Sequence, residues 1–253
     1  MKIVTILKQV PDAEARLRPG PNGVDFSGVT FVIDGMDEYG VEQALRIREE
    51  GTESEIVALA LGPARYEEAI RTALAMGVDR AIHIETDAGL DPISQARVLG
   101  KVIAGEEADL VFVGGKQADW DSSALGPAVA EVLGWPHSDW TISMELSDGR
   151  VTVVHDADEG SEQLELPLPA VITTQQGLNE PRYPTLPNIM KAKRKELRKC
   201  TLEEAGGAQP LTELLEQSLE SRERRNVMLD GDPKEAAREL VRRLRDEAKV
   251  LSK

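Results

Sequence analysis

Residues 56–77 have the sequence IVALALGPARYEEAIRTALAMG, in which a strand signal is followed directly by a helix signal. Residues 56–61 form an uninterrupted apolar run of strand length, which Gly62-Pro63 closes. Residues 67–76 then place apolar side chains at helical spacing and end at Gly77, where glycine commonly adopts the left-handed C-cap conformation. A buried strand followed at once by an amphipathic helix is the repeating unit of a parallel sheet.

The same unit recurs on both sides of this stretch. The apolar runs lack the polar alternation of half-exposed strands, so both faces of the sheet are expected to be buried. We therefore predict an α/β domain with a doubly wound, mostly parallel sheet. The further apolar runs are residues 3–7, 81–84 and 110–113, and the further amphipathic segments are residues 37–48, 94–103 and 126–133.

The next part of the chain has a different pattern. Residues 141–146 and 150–154 flank Ser147-Asp148-Gly149, which is a turn signal of the hairpin type. Residues 170–174 return to the composition of a buried strand. An antiparallel hairpin extension attached to the parallel sheet is the simplest interpretation.

The C-terminal part is polar and charged, and it ends in a helix signal. Asp232-Pro233-Lys234-Glu235 combines an N-cap, a proline at the first helical position and an acid three residues after the cap. A lone terminal helix must bury its apolar stripe on its own domain or on a partner chain. We divide the chain into an α/β domain, residues 1–199, and a C-terminal helical arm, residues 200–253. The stripe consists of Ala237, Leu240, Val241, Leu244, Ala248 and Leu251.

Composition excludes several classes of function. A net charge of -15 over 253 residues argues against duplex nucleic acid as the main partner. One cysteine, Cys200, excludes a disulfide within the chain and, with only three histidines, argues against a Cys/His metal site. No apolar run approaches the ~20 residues needed to cross a bilayer, so no direct membrane insertion is expected. The strand signal begins at Lys2-Ile3 without a visible targeting segment, which favours a cytoplasmic location.

The basic residues are concentrated in one short segment. Between Arg182 and Lys199 there are seven basic residues and one acid, Glu196. A solvated helix face or a linker is one interpretation of such a run. The apolar residues 184–190 that precede it favour a docking element instead. The seven are Arg182, Lys191, Lys193, Arg194, Lys195, Arg198 and Lys199.

Glycine-rich loops follow the predicted strands, where ligands bind in open parallel sheets. Backbone N–H groups at such loops and at helix N-termini accept phosphate, and Lys116, Ser122 and Ser123 are candidate additional donors. These features predict a nucleotide site. The loops are residues 8–12, 34–37, 61–63 and 114–126.

No catalytic set is visible. The G-x-G-x-x-G and G-x-x-x-x-G-K-[ST] patterns are absent, and no nucleophile, histidine and acid form a plausible group. We interpret His83, His137 and His155 as ordinary surface or strand-end residues. The chain is therefore expected to bind rather than to catalyse.

Several motifs resemble the β (small) subunit of electron-transfer flavoproteins, in order from about residue 1 to residue 199. The longest is residues 179–193, NEPRYPTLPNIMKAK; the part after residue 199 resembles the family only in its final amphipathic helix. The shorter motifs are residues 8–12 (KQVPD), 62–63 (GP), 71–80 (RTALAMGVDR), 115–118 (GKQA), 133–136 (LGWP) and 168–171 (LPAV).

The resemblance implies an adenine-nucleotide α-hydrolase-like fold and an electron carrier rather than an enzyme. It implies a heterodimer with an α subunit, an FAD shared between the subunits, and an AMP without a redox role buried in this one. Met36 and Ala13 match positions that approach the flavin in relatives. The nucleotide contacts carried over are Ile6, Asp34, Gly35, Met36, Asp37, Leu61, Gly115, Lys116, Gln117, Ala118, Asp119, Asp121, Ser122, Ser123, Ala124 and Leu125.

The resemblance also implies a partner-recognition loop at residues 178–199. Leu186 matches the leucine that anchors partner dehydrogenases, and the basic residues behind it would steer the encounter. The implied partners are flavin dehydrogenases, such as those that oxidise acyl-CoA, and a quinone oxidoreductase as electron acceptor. The partner-binding residues carried over are Leu186, Pro187, Ile189, Met190 and Lys191.

Two departures leave alternatives open. Asp34-Gly35 stands where relatives often have Asn-Pro, and the loop after Lys116 is one residue shorter. The motifs at residues 115–118 and 135–136 favour AMP, whereas a second FAD in the same place would indicate a flavin-bifurcating, NADH-oxidising complex. A stand-alone nucleotide-binding module is the third interpretation.

Overall fold

The computed structural model describes residues 1–20, 23–219 and 226–251, which fall into two compact units, Met1–Gln217 and Ser218–Lys253. The strands are β1 (Lys2–Leu7), β2 (Gln9–Pro11), β3 (Arg18–Gly20), β4 (Gly23–Asp25), β5 (Phe31–Ile33), β6 (Glu55–Gly62), β7 (Arg80–Glu85), β8 (Leu110–Gly114), β9 (His137–Ser147), β10 (Arg150–Ala157), β11 (Gly160–Pro167), β12 (Ala170–Thr174) and β13 (Leu197–Thr201). The helices are α1 (Gly35–Glu49), α2 (Tyr66–Met76), α3 (Pro92–Glu106), α4 (Leu125–Leu133), α5 (Leu186–Ala192) and α6 (Pro233–Asp246).

The main sheet confirms the predicted doubly wound arrangement. Its strand order is β11-β10-β9-β12-β8-β1-β6-β7-β13, and β1 pairs in parallel with both β6 and β8. The chain runs from β1 to β6 and β7 on one side and then returns through α3 to β8 on the other. Strand order therefore reverses beside β1, and an open α/β sheet has its ligand crevice at such a reversal.

The predicted hairpin extension is also confirmed. Strand β10 pairs antiparallel with both β9 and β11, while β9 joins the parallel part of the sheet through β12. The turn between β9 and β10 holds Asp148 and Gly149 at φ of 49° and 74°, the left-handed region that such hairpins require.

Two apolar layers cover the faces of the sheet, because successive side chains of each strand point to opposite faces. One layer joins Ile3 and Leu7 of β1 to apolar residues of α1 and α2. The other joins Val4 and Ile6 of β1 to apolar residues of α3 and α4. Helices on both faces explain why the apolar runs of the parallel strands show no polar alternation.

Strand β13 was not foreseen in the sequence, and it pairs in parallel with β7 at the edge of the sheet. Because Arg198 and Lys199 are exposed and charged, the strand has no apolar run in the sequence, as is usual for edge strands. The predicted domain boundary after residue 199 falls inside this strand, and the first compact unit continues to Gln217. Leu202 and Ala205 beyond the strand extend the apolar layer of α3.

The second unit contains helix α6, which begins at the predicted place. Asp232 accepts hydrogen bonds from the backbone N–H groups of Lys234 and Glu235, and the Glu235 side chain completes a capping box. The helix ends at Asp246, so only part of the predicted stripe is helical, and none of its side chains is buried. Within the described residues, no helix has both the length and the apolar composition to cross a membrane.

Gly126 in α4 provides a test of how closely the apolar layer of α3 and α4 packs on the sheet. A Cβ at Gly126 would lie 2.2 Å from Cγ2 of Thr173, so Gly126→Ala should lower the free energy of unfolding by roughly 1–3 kcal/mol, as overpacking does. Urea denaturation of the full chain measures the change. Gly105→Ala in α3 is the matched control, because its added Cβ meets no atom of the described residues within 4 Å apart from its chain neighbours and the backbone of its own helix. A loss as large in Gly105→Ala would contradict the packing argument.

Candidate functional site

The carboxylate of Asp37 joins the ends of the two strands that flank the reversal in strand order. It accepts hydrogen bonds from the backbone N–H of Lys8, at 2.7 Å, and from that of Gly114, at 2.8 Å. Lys8 directly follows β1 and Gly114 ends β8. The Asp37 side chain is buried, at 2% exposure, so this contact fixes the separation of the two strand ends.

Asp34 makes a second connection one turn earlier. Its carboxylate caps α1 through the N–H of Met36, at 2.9 Å, and accepts the N–H of Ala118, at 2.7 Å. Asp34 therefore ties the start of α1 to the glycine-rich loop after β8.

Burial raises the pKa of both carboxyl groups. The pKa of Asp37 lies well above its ordinary value because the group is buried, with the charge of Asp34 as a second cause. The pKa of Asp34 is raised for the same first reason, although its hydrogen bonds oppose the shift. The backbone donors offset part of the cost of burying charge. Both acids lie at the predicted site, where their carboxylates hold the protein's own loops.

The loop from Gly115 to Ala124 is organised by internal contacts. The carbonyl of Gln117 accepts the N–H groups of Trp120, at 3.2 Å, and Asp121, at 2.7 Å. Lys116 pairs with the Asp121 carboxylate at 2.8 Å. Asp121 and Ser123 have φ of 49° and 52°, a left-handed conformation that costs energy outside glycine and clusters at functional sites.

Helix α4 begins directly after this loop. Its N-cap is Ala124, which has no side chain able to accept a hydrogen bond from the first turn. Pro127 in that turn has no N–H, and the N–H of Ala128 donates to the carbonyl of Ala124. The N–H groups of Leu125 and Gly126 are therefore the ones suited to an anion. Ser122 is exposed and Ser123 half-buried at the same helix entrance.

Three predicted apolar contacts belong to one cluster on the α3 and α4 side of the sheet. They are Ile6 near the end of β1, Leu61 near the end of β6 and Leu125 at the start of α4. All three side chains are buried, with at most 9% of each residue exposed.

The structure brings the predicted nucleotide residues to one edge of the sheet, with different exposures. Those with buried side chains or backbone are Ile6, Asp34, Asp37, Leu61, Gly115, Gln117 and Leu125; those that are half-buried are Met36, Lys116, Ser123 and Ala124; those that are exposed are Gly35, Ala118, Asp119, Asp121 and Ser122.

A cleft beside the predicted nucleotide residues was not predicted from the sequence. It has a volume of about 710 Å³ and is lined by Ala13, Arg65, Phe31 and Trp120, among others. The Arg65 guanidinium lies 4.1 Å from the centre of the Phe31 ring and donates to Oε1 of Gln9 at 2.7 Å. A contact between a cation and an aromatic ring depends on where folding brings the two side chains, so the spacing of residues in the sequence does not predict it.

The predicted partner loop carries an exposed apolar tip. We call residues 183–192 the finger; within it, Leu186 is 79% exposed, Met190 63% and Ile189 41%. Pro187 and Lys191 are exposed as well. The finger contains α5, which starts after Thr185. The Thr185 side chain caps the helix by accepting a hydrogen bond from the backbone N–H of Asn188.

Four of the seven basic residues near the finger are engaged by the rest of the first unit. Arg182 binds Glu42 at 2.8 Å and also Glu49, both on α1. Arg198 lies 3.4 Å from Glu106, and Lys199 lies 2.7 Å from Glu67. Lys195 donates to backbone carbonyls at the end of α2. The other three, Lys191, Lys193 and Arg194, are exposed beside the tip.

The interpretation as ordinary surface or strand-end residues fits His137 at the start of β9 and His155 near the end of β10, and it is wrong for His83. His83 is fully buried inside β7, where Nε2 lies 3.1 Å from the carbonyl oxygen of Gly62 and the ring stacks near Tyr66. His137 is half-buried at the start of β9. His155 lies between Asp139 and Glu162, at 3.3 and 3.2 Å. Within the described ranges, no three His, Cys, Asp or Glu side chains form a group suited to a metal ion.

Known proteins are similar to this chain over most of its length. The profile of a family described as "Electron transfer flavoprotein domain" matches residues 23–205. The electron transfer flavoprotein subunit beta of Syntrophomonas wolfei is 35% identical over 250 residues, which cover 99% of this chain and 98% of the relative. The mitochondrial subunit beta of Oryza sativa subsp. japonica is 38% identical, with 99% and 100% coverage. The subunit beta of Sus scrofa is 41% identical over 203 residues, 78% of this chain and 80% of the relative.

Asp37 offers a test of the strand-end connection. Asp37→Ala removes the acceptor of two backbone donors, so we expect the free energy of unfolding to fall by roughly 2–6 kcal/mol, at about 1–3 kcal/mol for each unsatisfied donor. Asp37→Asn keeps one acceptor oxygen and should lose about half as much. Urea denaturation measures both changes.

Glu50→Ala, an exposed acid at the other end of α1, is the control for that comparison. Equal stability losses in Asp37→Ala and Glu50→Ala would show that the connection between β1 and β8 does not depend on the carboxylate.

Proposed function

The chain belongs to the electron transfer flavoprotein family as a β subunit, an electron carrier rather than a classical enzyme, and we propose that it works as half of a heterodimer with an α subunit. The supporting observation is similarity to β subunits over essentially the whole chain, together with a parallel sheet whose loops converge beside β1.

We propose that the strand-end loops hold AMP. Ile6, Leu61 and Leu125 would provide the apolar surface for the adenine ring. The backbone N–H groups of Leu125 and Gly126 at the start of α4, with Lys116 and the hydroxyl groups of Ser122 and Ser123, would meet the phosphate. These donors fit an anion, whereas the Asp34 and Asp37 carboxylates point to protein N–H groups and would support the loops from behind. A second FAD in this position is the alternative.

The redox group of the complex would be an FAD held mainly by the α subunit, and a flavin supplies the capacity to accept and release single electrons. Met36 and Ala13 are proposed to cover it. Ala13 lines the 710 Å³ cleft with Arg65 and Trp120, so this face of the chain offers both apolar and cationic groups to a planar ring. The contribution of these residues would be to orient the ring and to exclude water.

The finger is proposed to dock flavin dehydrogenases, including those that oxidise acyl-CoA, and the reduced complex would pass electrons to a quinone oxidoreductase. An apolar tip with exposed cations beside it favours a small and short-lived interface, as electron carriers require. Helix α6 and its arm are proposed to pack on the α subunit, because no residue of the described helix is buried.

Co-expression with a candidate α subunit tests the proposal directly. We expect the two chains to purify as a yellow heterodimer, and mass spectrometry of the released small molecules should find one FAD and one AMP per complex. Two FAD molecules would instead identify the bifurcating type of complex. A chain that remains alone and colourless would overturn the heterodimer proposal and favour a stand-alone nucleotide-binding module.

Lys116 tests the nucleotide site. If Lys116 meets the phosphate, Lys116→Ala should lower nucleotide occupancy of the purified complex several-fold, since it removes a charge-assisted contact of roughly 1.5–3 kcal/mol. Quantitative mass spectrometry after gel filtration measures occupancy. Arg150→Ala, which removes an exposed cation that also forms an ion pair, is the control and should keep full occupancy. Unchanged occupancy in Lys116→Ala would remove this lysine from the site.

Leu186 tests the docking surface. Leu186→Ala should raise the apparent KM of an acyl-CoA dehydrogenase for the complex about tenfold or more, because truncating a central apolar anchor costs roughly 2 kcal/mol or more. Flavin content and the urea midpoint should stay unchanged, since the side chain is 79% exposed. Parallel losses of flavin and stability would show that Leu186 supports the fold instead.

A further inference from the structure

Apolar packing alone does not hold the finger in place. Among the residues of α5, only Ala192 is buried. A cleft of about 650 Å³ lies between α2 and the finger, lined by Thr72 and Ala75 on one side and by Pro184 and Ile189 on the other. Ala192 packs into the apolar layer of α1 and α2, whereas the cleft separates the Pro184 and Ile189 side of the finger from α2. Polar contacts therefore contribute to the position of the finger.

Arg71 of α2 reaches the C-terminal end of α5. Its Nη1 donates to the carbonyl oxygens of Ala192 and Lys195, at 3.0 Å each. The last carbonyls of a helix have no partner within the helix, and a cation is the favoured group at that end. Glu67, one turn earlier on α2, accepts from the same guanidinium at 3.4 Å and orients it.

Lys195 makes the converse contact. Its ammonium donates to the carbonyl oxygen of Leu74, at 3.0 Å, and to that of Val78. These two carbonyls lie at the C-terminal end of α2 and just beyond it. Burial lowers the pKa of Lys195, as expected for an ammonium withdrawn from water towards carbonyl groups. Each helix thus has its C-terminal end capped by a cation from the other segment, an arrangement we call the reciprocal cap.

We propose that Arg71 and Lys195 are positioning residues for the finger, and that the reciprocal cap holds Leu186 in its docking position before a partner arrives. This inference rests on the proposed docking function of Leu186. Pre-organisation of this kind removes the entropy that ordering a loop on binding would cost. Without the cap, the finger would have to be ordered during each encounter, and the apparent affinity would fall by the fraction of time it spends out of place.

The experiment uses the αβ complex with a flavin dehydrogenase that reduces the wild-type complex. We expect Arg71→Met and Lys195→Met each to raise the apparent KM for the complex about three- to tenfold, with kcat and flavin content unchanged. Arg71→Lys should rescue part of the effect, since an ammonium can still donate to one of the two carbonyls. Arg97→Met, an exposed arginine on α3, is the matched control and should leave KM unchanged.

Two further readouts separate positioning from a general structural role. In the Leu186→Ala background, Arg71→Met should raise KM by a smaller factor than in the wild-type complex, because part of its effect acts through the Leu186 side chain that it positions. Hydrogen exchange should become faster in residues 186–195 of Arg71→Met and remain unchanged in the strands of the sheet. A lower kcat, fully additive effects on the logarithm of KM with Leu186→Ala, or unchanged exchange would each overturn the inference.

The outcomes also separate this inference from the docking proposal. If Leu186→Ala leaves KM unchanged, the finger is not the docking surface, and the docking proposal fails. If Leu186→Ala raises KM while Arg71→Met and Lys195→Met do not, docking stands and the reciprocal cap alone is excluded as its support.

Discussion

The positions of the loops at the carboxyl ends of β1 and β8 depend on one buried carboxylate that joins these two strands. Asp37 accepts the N–H of Lys8 and that of Gly114, so the first turn of α1 holds β1 and β8 together where strand order reverses. Space at this point is small, since a Cβ on Gly114 would lie 2.6 Å from Oδ1 of Asp37 and 2.8 Å from Cβ of Met36. Loops that begin from so constrained a base can be placed accurately enough to surround a ligand.

The first unit separates its two proposed tasks by distance along the sheet. The nucleotide loops follow β1, β6 and β8 in the middle of the sheet, whereas the finger lies against α2 near the edge formed by β7 and β13. Different residues support each region, Asp34 and Asp37 for the loops and Arg71 and Lys195 for the finger. A substitution in one pair of supporting residues is therefore expected to affect its own region and to leave the other region unchanged, as expected for distant sites without shared partners.

Most of the fold could be predicted because its signals are local. The parallel strands are buried on both faces and appear as apolar runs, and four of the described helices begin at a side-chain cap, such as Asp232 for α6. Strand β13 escaped prediction because an exposed edge tolerates Arg198 and Lys199. The burial of His83 and the bonds of Arg71 depend on segments far apart in the chain, and no spacing encodes them.

The cations around the finger have a consequence for how a partner would find it. Ion pairs within the chain neutralise Arg182, Arg198 and Lys199, so the attractive field at the tip comes from far fewer charges than the basic segment contains. That field decays over about 8 Å at physiological ionic strength, and the chain as a whole carries -15. Long-range attraction is therefore weak, and association would respond only mildly to added salt. Shape complementarity at close range, rather than long-range electrostatic steering, would select the partner.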